Sequence, residues 1–106
     1  MDNQLKRGIL DICVLSALIR EDSYGYKIIK NLQPYIDISE STLYPILRRH
    51  EAAGNLLVYS TEHNGRLRKY YRITEEGFRT IKDFLEEWQS MMKVYSFIEG
   101  EMNTNV

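Results

Sequence analysis

Five cations in this chain sit where an anion would find them. Arg48 and Arg49 are adjacent in the stretch STLYPILRRHEAAG (41 to 54), and Arg66, Arg68 and Lys69 crowd the Asn64-Gly65 pair in HNGRLRKYYRIT (63 to 74). Like charges this close repel one another. A polyanion relieves that repulsion and sheds its own counterions, which makes such binding steeply salt-dependent. Ahead of the two arginines stand Ser39, Glu40, Ser41 and Thr42. Short polar groups at a helix start lie among unpaired backbone N–H groups that attract phosphate. The same side chains can hydrogen-bond base edges when that end enters a major groove. At least one serine is also needed as a cap, and Ser39 and Ser41 compete for that duty. Tyr44, one position after Leu43 and three before Leu47, suits either the core or a phosphate. Arg48 and Arg49 point about 100° apart on a helix. They cannot both lie on the apolar stripe, and each can reach a duplex backbone or sit on a solvated face. For the three cations beside the turn, the bland alternative is a charged edge that blocks strand-to-strand aggregation.

Other chemistries find little material. Two histidines, one cysteine and no glycine-rich phosphate loop leave no nucleophile–base pair and no metal set, so the sequence reads as neither an enzyme nor a cofactor protein. Its 106 residues suffice for one small domain, and 43% hydrophobic residues support a packed core. The net charge of −1 hides a polarised chain: residues 1–38 hold five Lys/Arg against five Asp/Glu, residues 39–73 six against three, and residues 74–106 three against seven. A basic middle between neutral and acidic ends is a local anion footprint. Cys13 lies in an apolar run and reads as a small buried hydrophobe, and a single cysteine permits no internal disulfide. The N-terminal MDNQLKRGILDICVL carries acids where a signal peptide would be apolar, and no run reaches membrane-spanning length. The expectation is a cytoplasmic protein with no membrane partner.

The elements that must position the cations follow from periodicity. LKRGILDICVLSALIR (5 to 20) spaces Leu5, Ile9, Ile12, Leu15, Ala17, Leu18 and Ile19 as a helix, with Cys13 and Val14 widening the stripe. A second helix in EDSYGYKIIKNL (21 to 32) takes Asp22 or Ser23 as its cap and buries Tyr24, Ile28, Ile29 and Leu32. Gly25 in its first turn suggests a close helix approach, and Pro34 ends it. The third helix lies within 36 to 54, with Leu43, Ile46, Leu47 and His50 or Ala53 inward and Gly54 after its last turn. Pro45 inside it removes one hydrogen bond, so a small kink or an irregular first turn is expected. LLVYSTE (56 to 62) and LRKYYRIT (67 to 74) flank an Asn-Gly pair, the strongest short hairpin signal. Tyr70 and Tyr71 alternate faces, one packing on the helices. Thr74 caps a fourth helix whose Glu75 and Glu76 suit the dipole, and which runs to about residue 98. Three helices, a hairpin and a long helix give a mainly α chain with a small β-hairpin, the winged helix-turn-helix order. That order normally offers its third helix to the major groove and its hairpin to the flanking backbone or minor groove.

The stretches YGYKI (24 to 28), STLYPILRRHEAAG (41 to 54) and GRLRKYYRITEEG (65 to 77), with the single Trp88, resemble the PadR family of bacterial transcriptional regulators, specifically its short members with one C-terminal dimerisation helix. The likeness spans residues 5 to 98. It implies a dimeric winged-helix repressor, often ligand-responsive, with a double-stranded DNA operator as partner. It favours a DNA-facing Tyr44, keeps Pro45, and expects an aliphatic residue where this chain has His50. The organisation it suggests is 1–74 as the DNA-binding head, 75–98 as the dimerisation helix and 99–106 as a flexible tail.

The last helix carries its own argument for a second copy. Ile81, Leu85, Trp88, Met92 and Tyr95 follow a heptad seam, and Phe84, Met91 and Ile98 recur at intervals of seven. A helix of about 24 residues is about 36 Å long, too long to bury two seams against so small a body. Leaving them bare would expose a patch of more than a few hundred Å², and a two-fold homodimer is the commonest cover. Some members of the family bind flat aromatic compounds between such tryptophans. Trp88, Met91 and Met92 are therefore candidates for a planar aromatic effector, against the plainer reading of Trp88 as a dimer-core aromatic. A winged-helix module that binds another protein without DNA is the alternative function. DNA binding would instead place Arg48, Arg49, Arg66, Arg68 and Lys69 on one continuous face.

Overall fold

The computed structural model describes residues 3–104. The elements are helices α1 (Asn3–Ser16), α2 (Gly25–Leu32) and α3 (Glu40–Ala52), strands β1 (Leu56–His63) and β2 (Arg66–Ile73), and helix α4 (Glu75–Thr104). The chain is thus mainly helical with one antiparallel hairpin and a long C-terminal helix, the winged helix-turn-helix order. Leu10, Val14 and Leu15 of α1, with Leu18 just after it, meet Ile28 and Leu32 of α2, Leu43, Ile46 and Leu47 of α3, Leu56 and Tyr71 of the hairpin and Ile81 of α4 in one buried cluster. Cys13 packs against this cluster, half-buried and free, and burial pushes its thiol pKa up.

Several element ends differ from the sequence reading, each for a physical reason. α1 stops at Ser16 because the chain tightens: the Leu18 and Ile19 N–H groups donate to the Leu15 and Ser16 carbonyls at 3.1 and 3.2 Å, an i→i−3 pattern. Neither Asp22 nor Ser23 caps α2. Tyr24 holds the cap position without a side-chain bond, since Ser23 pairs with Tyr71 as a β-bridge and Asp22 is engaged by the hairpin. Ser39, not Ser41, caps α3, its Oγ accepting from the Thr42 N–H at 3.3 Å. The helix continues through Pro45. A proline there leaves the Ser41 carbonyl without its i+4 donor, on an exposed side of the helix. Beyond residue 98, α4 stays helical to Thr104, so the residues expected as a flexible tail extend the helix. Residues 105 and 106 of that tail lie outside the described residues.

The hairpin turns through Asn64 and Gly65, at φ of 52° and 79°, the left-handed pair that a two-residue turn between twisted strands requires. Its register pairs Val58 with Tyr71, Tyr59 with Tyr70, Thr61 with Arg68 and His63 with Arg66. Alternation puts Tyr71 on the core face and Arg66, Arg68, Tyr70 and Arg72 on the other.

Two features fix α4 to the head. Gly77 lies against the Asn55 carbonyl and the Ile73 side chain, with no room for a Cβ. His50, where an aliphatic residue was expected, is buried and fully used. Its Nε2 donates to the Asp11 carbonyl at 2.8 Å. Its Nδ1 accepts from Asn55 Nδ2 at 3.1 Å. Asn55 Oδ1 in turn accepts from the Thr80 hydroxyl at 3.0 Å. One polar chain therefore joins α1, α3 and α4.

Candidate nucleic-acid interface

A cleft of about 900 Å³ separates α3 from the hairpin, hereafter the wing, with Arg48 on one wall and Arg66, Arg68 and Lys69 on the other. The helix wall forms because Leu43, Ile46, Leu47 and His50 face inward, which turns Arg48 outward. Tyr44 lines the same cleft, about 38% exposed. Its hydroxyl lies against Gly25, where a Cβ would collide with it, so the close approach expected at Gly25 is made with α3. Tyr44 is thereby both a packing residue and a cleft residue.

At the start of α3, Glu40, Ser41 and Thr42 are exposed. The Ser39 hydroxyl lies 3.0 Å from Ser41 Oγ and 3.1 Å from Thr42 Oγ1. Ser39 is committed to the cap, while the other two hydroxyls retain bonding capacity toward an outside partner.

Arg49 stands apart. Its Nη2 donates to Asp11 at 2.8 Å, and it borders a different hollow with Lys6, Arg7, Ser39, Thr42 and Pro45. The five cations therefore do not all share one cleft. Arg48, Arg66, Arg68 and Lys69 do, and Arg49 is on the α1 side of α3. Within the wing, Arg66 and Arg68 share a face while Lys69 points to the other. The Arg68 guanidinium lies 3.9 Å from the Tyr24 ring centroid, a cation–π stack that holds it in place.

The sequence reading missed Asp22, Tyr59 and Arg72, which meet at the root of the wing. The period-two run Arg66, Arg68, Tyr70, Arg72 was the signal for Arg72. Nothing local could reveal that Asp22 reaches across 50 residues to it.

On α4 one residue of the expected seam is already taken up within the protomer. Ile81 is 8% exposed in the protomer's own core, because it lies one turn past Gly77, where the helix still rests on the head. Leu85, Trp88, Met92 and Tyr95 remain 37–58% exposed. Trp88 stacks on Phe84 at 5.9 Å between centroids and 21° between planes, with Met91 and Met92 exposed on the following turn.

Among the described residues no three His, Cys, Asp or Glu side chains converge as a metal site, and no helix is long and apolar enough to cross a membrane.

Comparison with known proteins agrees with this geometry. A transcriptional regulator from Clostridium thermocellum is 40% identical, covers 89% of this chain and 96% of its own, and superposes with a TM-score of 0.81. A PadR family transcriptional regulator from Eggerthella lenta is 38% identical over 90% of this chain and 85% of its own, also at a TM-score of 0.81. A protein of Lysinibacillus sphaericus whose role is uncharacterised is 32% identical over 100 residues, 89% of this chain and 92% of its own. The sequence pattern of the PadR-like transcriptional regulators matches residues 14–83, a stretch that runs from α1 through the cleft and wing into α4. With that match over most of the chain and these relatives, the chain belongs to the PadR-like family of transcriptional regulators, a family of regulators and not of enzymes.

Proposed function

We propose that this chain is a sequence-specific repressor that binds an inverted-repeat operator as a homodimer. The observation that carries the reading is the cationic cleft: Arg48, Arg66, Arg68 and Lys69 flank a groove between α3 and the wing, and the same helix leaves Ser41 and Thr42 exposed at its start. A phosphate backbone fits between helix and wing while the helix start meets base edges. Ser39, Glu40, Ser41, Thr42, Tyr44 and Arg48 form the reading helix, and Arg66, Arg68 and Lys69 clamp the backbone. Arg49 contributes from the α1 side while keeping its partner Asp11. Residues 1–74 act as the head and α4 as the dimerisation element.

A mobility-shift assay with sheared genomic DNA at two salt concentrations tests this. Wild type should bind and lose affinity steeply with salt. Arg66→Ala should weaken binding to all sequences and lower the salt slope by about 0.9. Changes at Ser41 or Thr42 should alter sequence preference more than salt response. A protein that leaves DNA unshifted at low salt would favour the protein-binding alternative.

Repression is relieved, in this reading, by a planar aromatic effector at Trp88, Met91 and Met92. The stack of exposed Trp88 on half-buried Phe84, beside two flexible methionines, supports it. An effector there acts only through different affinities for two spacings of the heads. Trp88 is the single tryptophan, so saturable quenching of its fluorescence, with release of DNA by the same compound, is the expected result. A tryptophan that no flat aromatic cation or phenolic acid perturbs would remove the effector from this site.

A further inference from the structure

The aim of the wing is decided at its root. From Ser60 to Leu67 every residue is exposed, so the tip that carries Arg66 packs little against the head. At the root, Asp22 in the connector between α1 and α2 receives the Tyr59 hydroxyl at 2.5 Å. Arg72 Nε donates to its two oxygens at 3.0 and 3.3 Å, and Arg72 Nη2 lies 3.0 Å away. From Tyr59 a continuous aromatic ladder runs back to the connector. Tyr59 stacks on Tyr70 at 5.7 Å and 14°. Tyr70 meets the edge of Tyr24 at 5.6 Å and 71°. Tyr24 carries the Arg68 guanidinium. Between the two anchors, Ser23 and Tyr71 exchange backbone hydrogen bonds of 3.1 and 2.8 Å, a single β-bridge that ties the connector to β2. Three consecutive residues, Asp22, Ser23 and Tyr24, thus grip the wing by an ion pair, a backbone bridge and a ring stack.

We propose that Asp22 is a positioning residue for DNA binding: by holding Tyr59 and Arg72 it fixes the angle at which the wing presents Arg66 and Arg68, although its own charge repels the polyanion. The inference rests on the DNA-binding reading above. It has a sign that a mere surface acid cannot reproduce. Asp22→Asn removes a negative charge from the binding side and frees Arg72. Electrostatics alone therefore predicts tighter binding and a steeper salt slope. A positioning role predicts the reverse.

The test measures wild type, Asp22→Asn and Tyr59→Phe by mobility shift on sheared genomic DNA across a salt series, and by amide hydrogen exchange without DNA. Tyr59→Phe removes one hydrogen bond with no change of charge and keeps the ring stack, so it carries the test if Asp22→Asn folds poorly. Asp22→Asn is expected to bind roughly three- to tenfold more weakly, with a slope smaller by about 0.9, the loss of about one phosphate contact. The Ser23 and Tyr71 amides should exchange about tenfold faster in both variants, reporting a loosened wing root. Asp22→Asn binding as tightly as wild type or tighter overturns the proposal, as does unchanged exchange of those two amides. Wild type that fails to shift DNA overturns the DNA-binding reading itself, and the positioning role with it. Wild type that shifts DNA while the variants bind as tightly as it does overturns only the role of Asp22.

Discussion

Charging the exposed seam of α4 should separate the protein into monomers. The 30-residue helix is about 45 Å long, and from Leu85 to Thr104 every residue is exposed. The protomer measures 65 × 25 × 21 Å with a radius of gyration of 17.0 Å, against about 13 Å for a compact domain of this size. The excess length is this helix standing free. Leu85 is 58% exposed, Trp88 37%, Met92 45%, Tyr95 55% and Met102 66%. Covering about half of each large side chain contributes about 1 kcal/mol apiece, so five from each of two copies give about 10 kcal/mol. Met91 and Ile98, 60% and 54% exposed, raise the total to about 14 kcal/mol. Association costs about 4–15 kcal/mol; at about 5 kcal/mol, toward the low end of that range, the surplus of about 9 kcal/mol gives a dimer at micromolar concentration, one that tightens if the first helix of the partner adds area. Leu85→Glu with Met92→Glu would bury four carboxylates per dimer at several kcal/mol each, which exceeds the surplus. Sedimentation velocity at micromolar concentration should show a wild-type dimer and a monomeric or insoluble double variant. Where soluble, the variant should keep its circular dichroism, since neither residue packs in the head. A monomeric wild type, or a double variant as dimeric as wild type, would refute the seam argument.

Other expectations concern the joints. Asn55→Ala should lower unfolding free energy by about 1–3 kcal/mol in urea, because it leaves the buried His50 Nδ1 without a donor; a double-mutant cycle with His50→Leu should show coupling between the two. Gly77→Ala should destabilise more than Gly25→Ala in the same assay. The first drives a methyl into the Asn55 backbone carbonyl, the second into the movable end of Tyr44. The Tyr59 hydroxyl and then the Arg72 guanidinium hold the Asp22 carboxyl below the usual carboxylate range. Its folded pKa being depressed, its contribution to stability is present above the unfolded value of 3.8 and is lost as pH falls through the folded value. The acid limb of the stability curve should therefore flatten below about pH 4 in Asp22→Asn relative to wild type.

Local signals were legible in the sequence because local physics produces them. The Asn64-Gly65 turn, the inward row Leu43, Ile46, Leu47 and His50, and the close approach at Gly25 all follow from spacing and backbone sterics. Tertiary pairings were not. Arg49 looked equivalent to Arg48 until Asp11, 38 positions earlier, claimed it. Asp22 has the residue type of a cap, and a partner on β2 outcompeted the helix start. Ile81 fits a heptad seam by periodicity alone, but its burial depends on where α4 leaves the head. The helical course of residues 99–104 was hidden for a local reason: α4 runs on through Gly100, a weak helix former, with no proline to stop it before Thr104.

Selection of bound duplexes from a random library tests the central claim most directly. A dimer that reads DNA with α3 and the wing should enrich an inverted repeat whose half-site centres lie about one helical turn apart, about 34–36 Å. Enrichment of a single asymmetric site, or of no site above the starting pool, would contradict it.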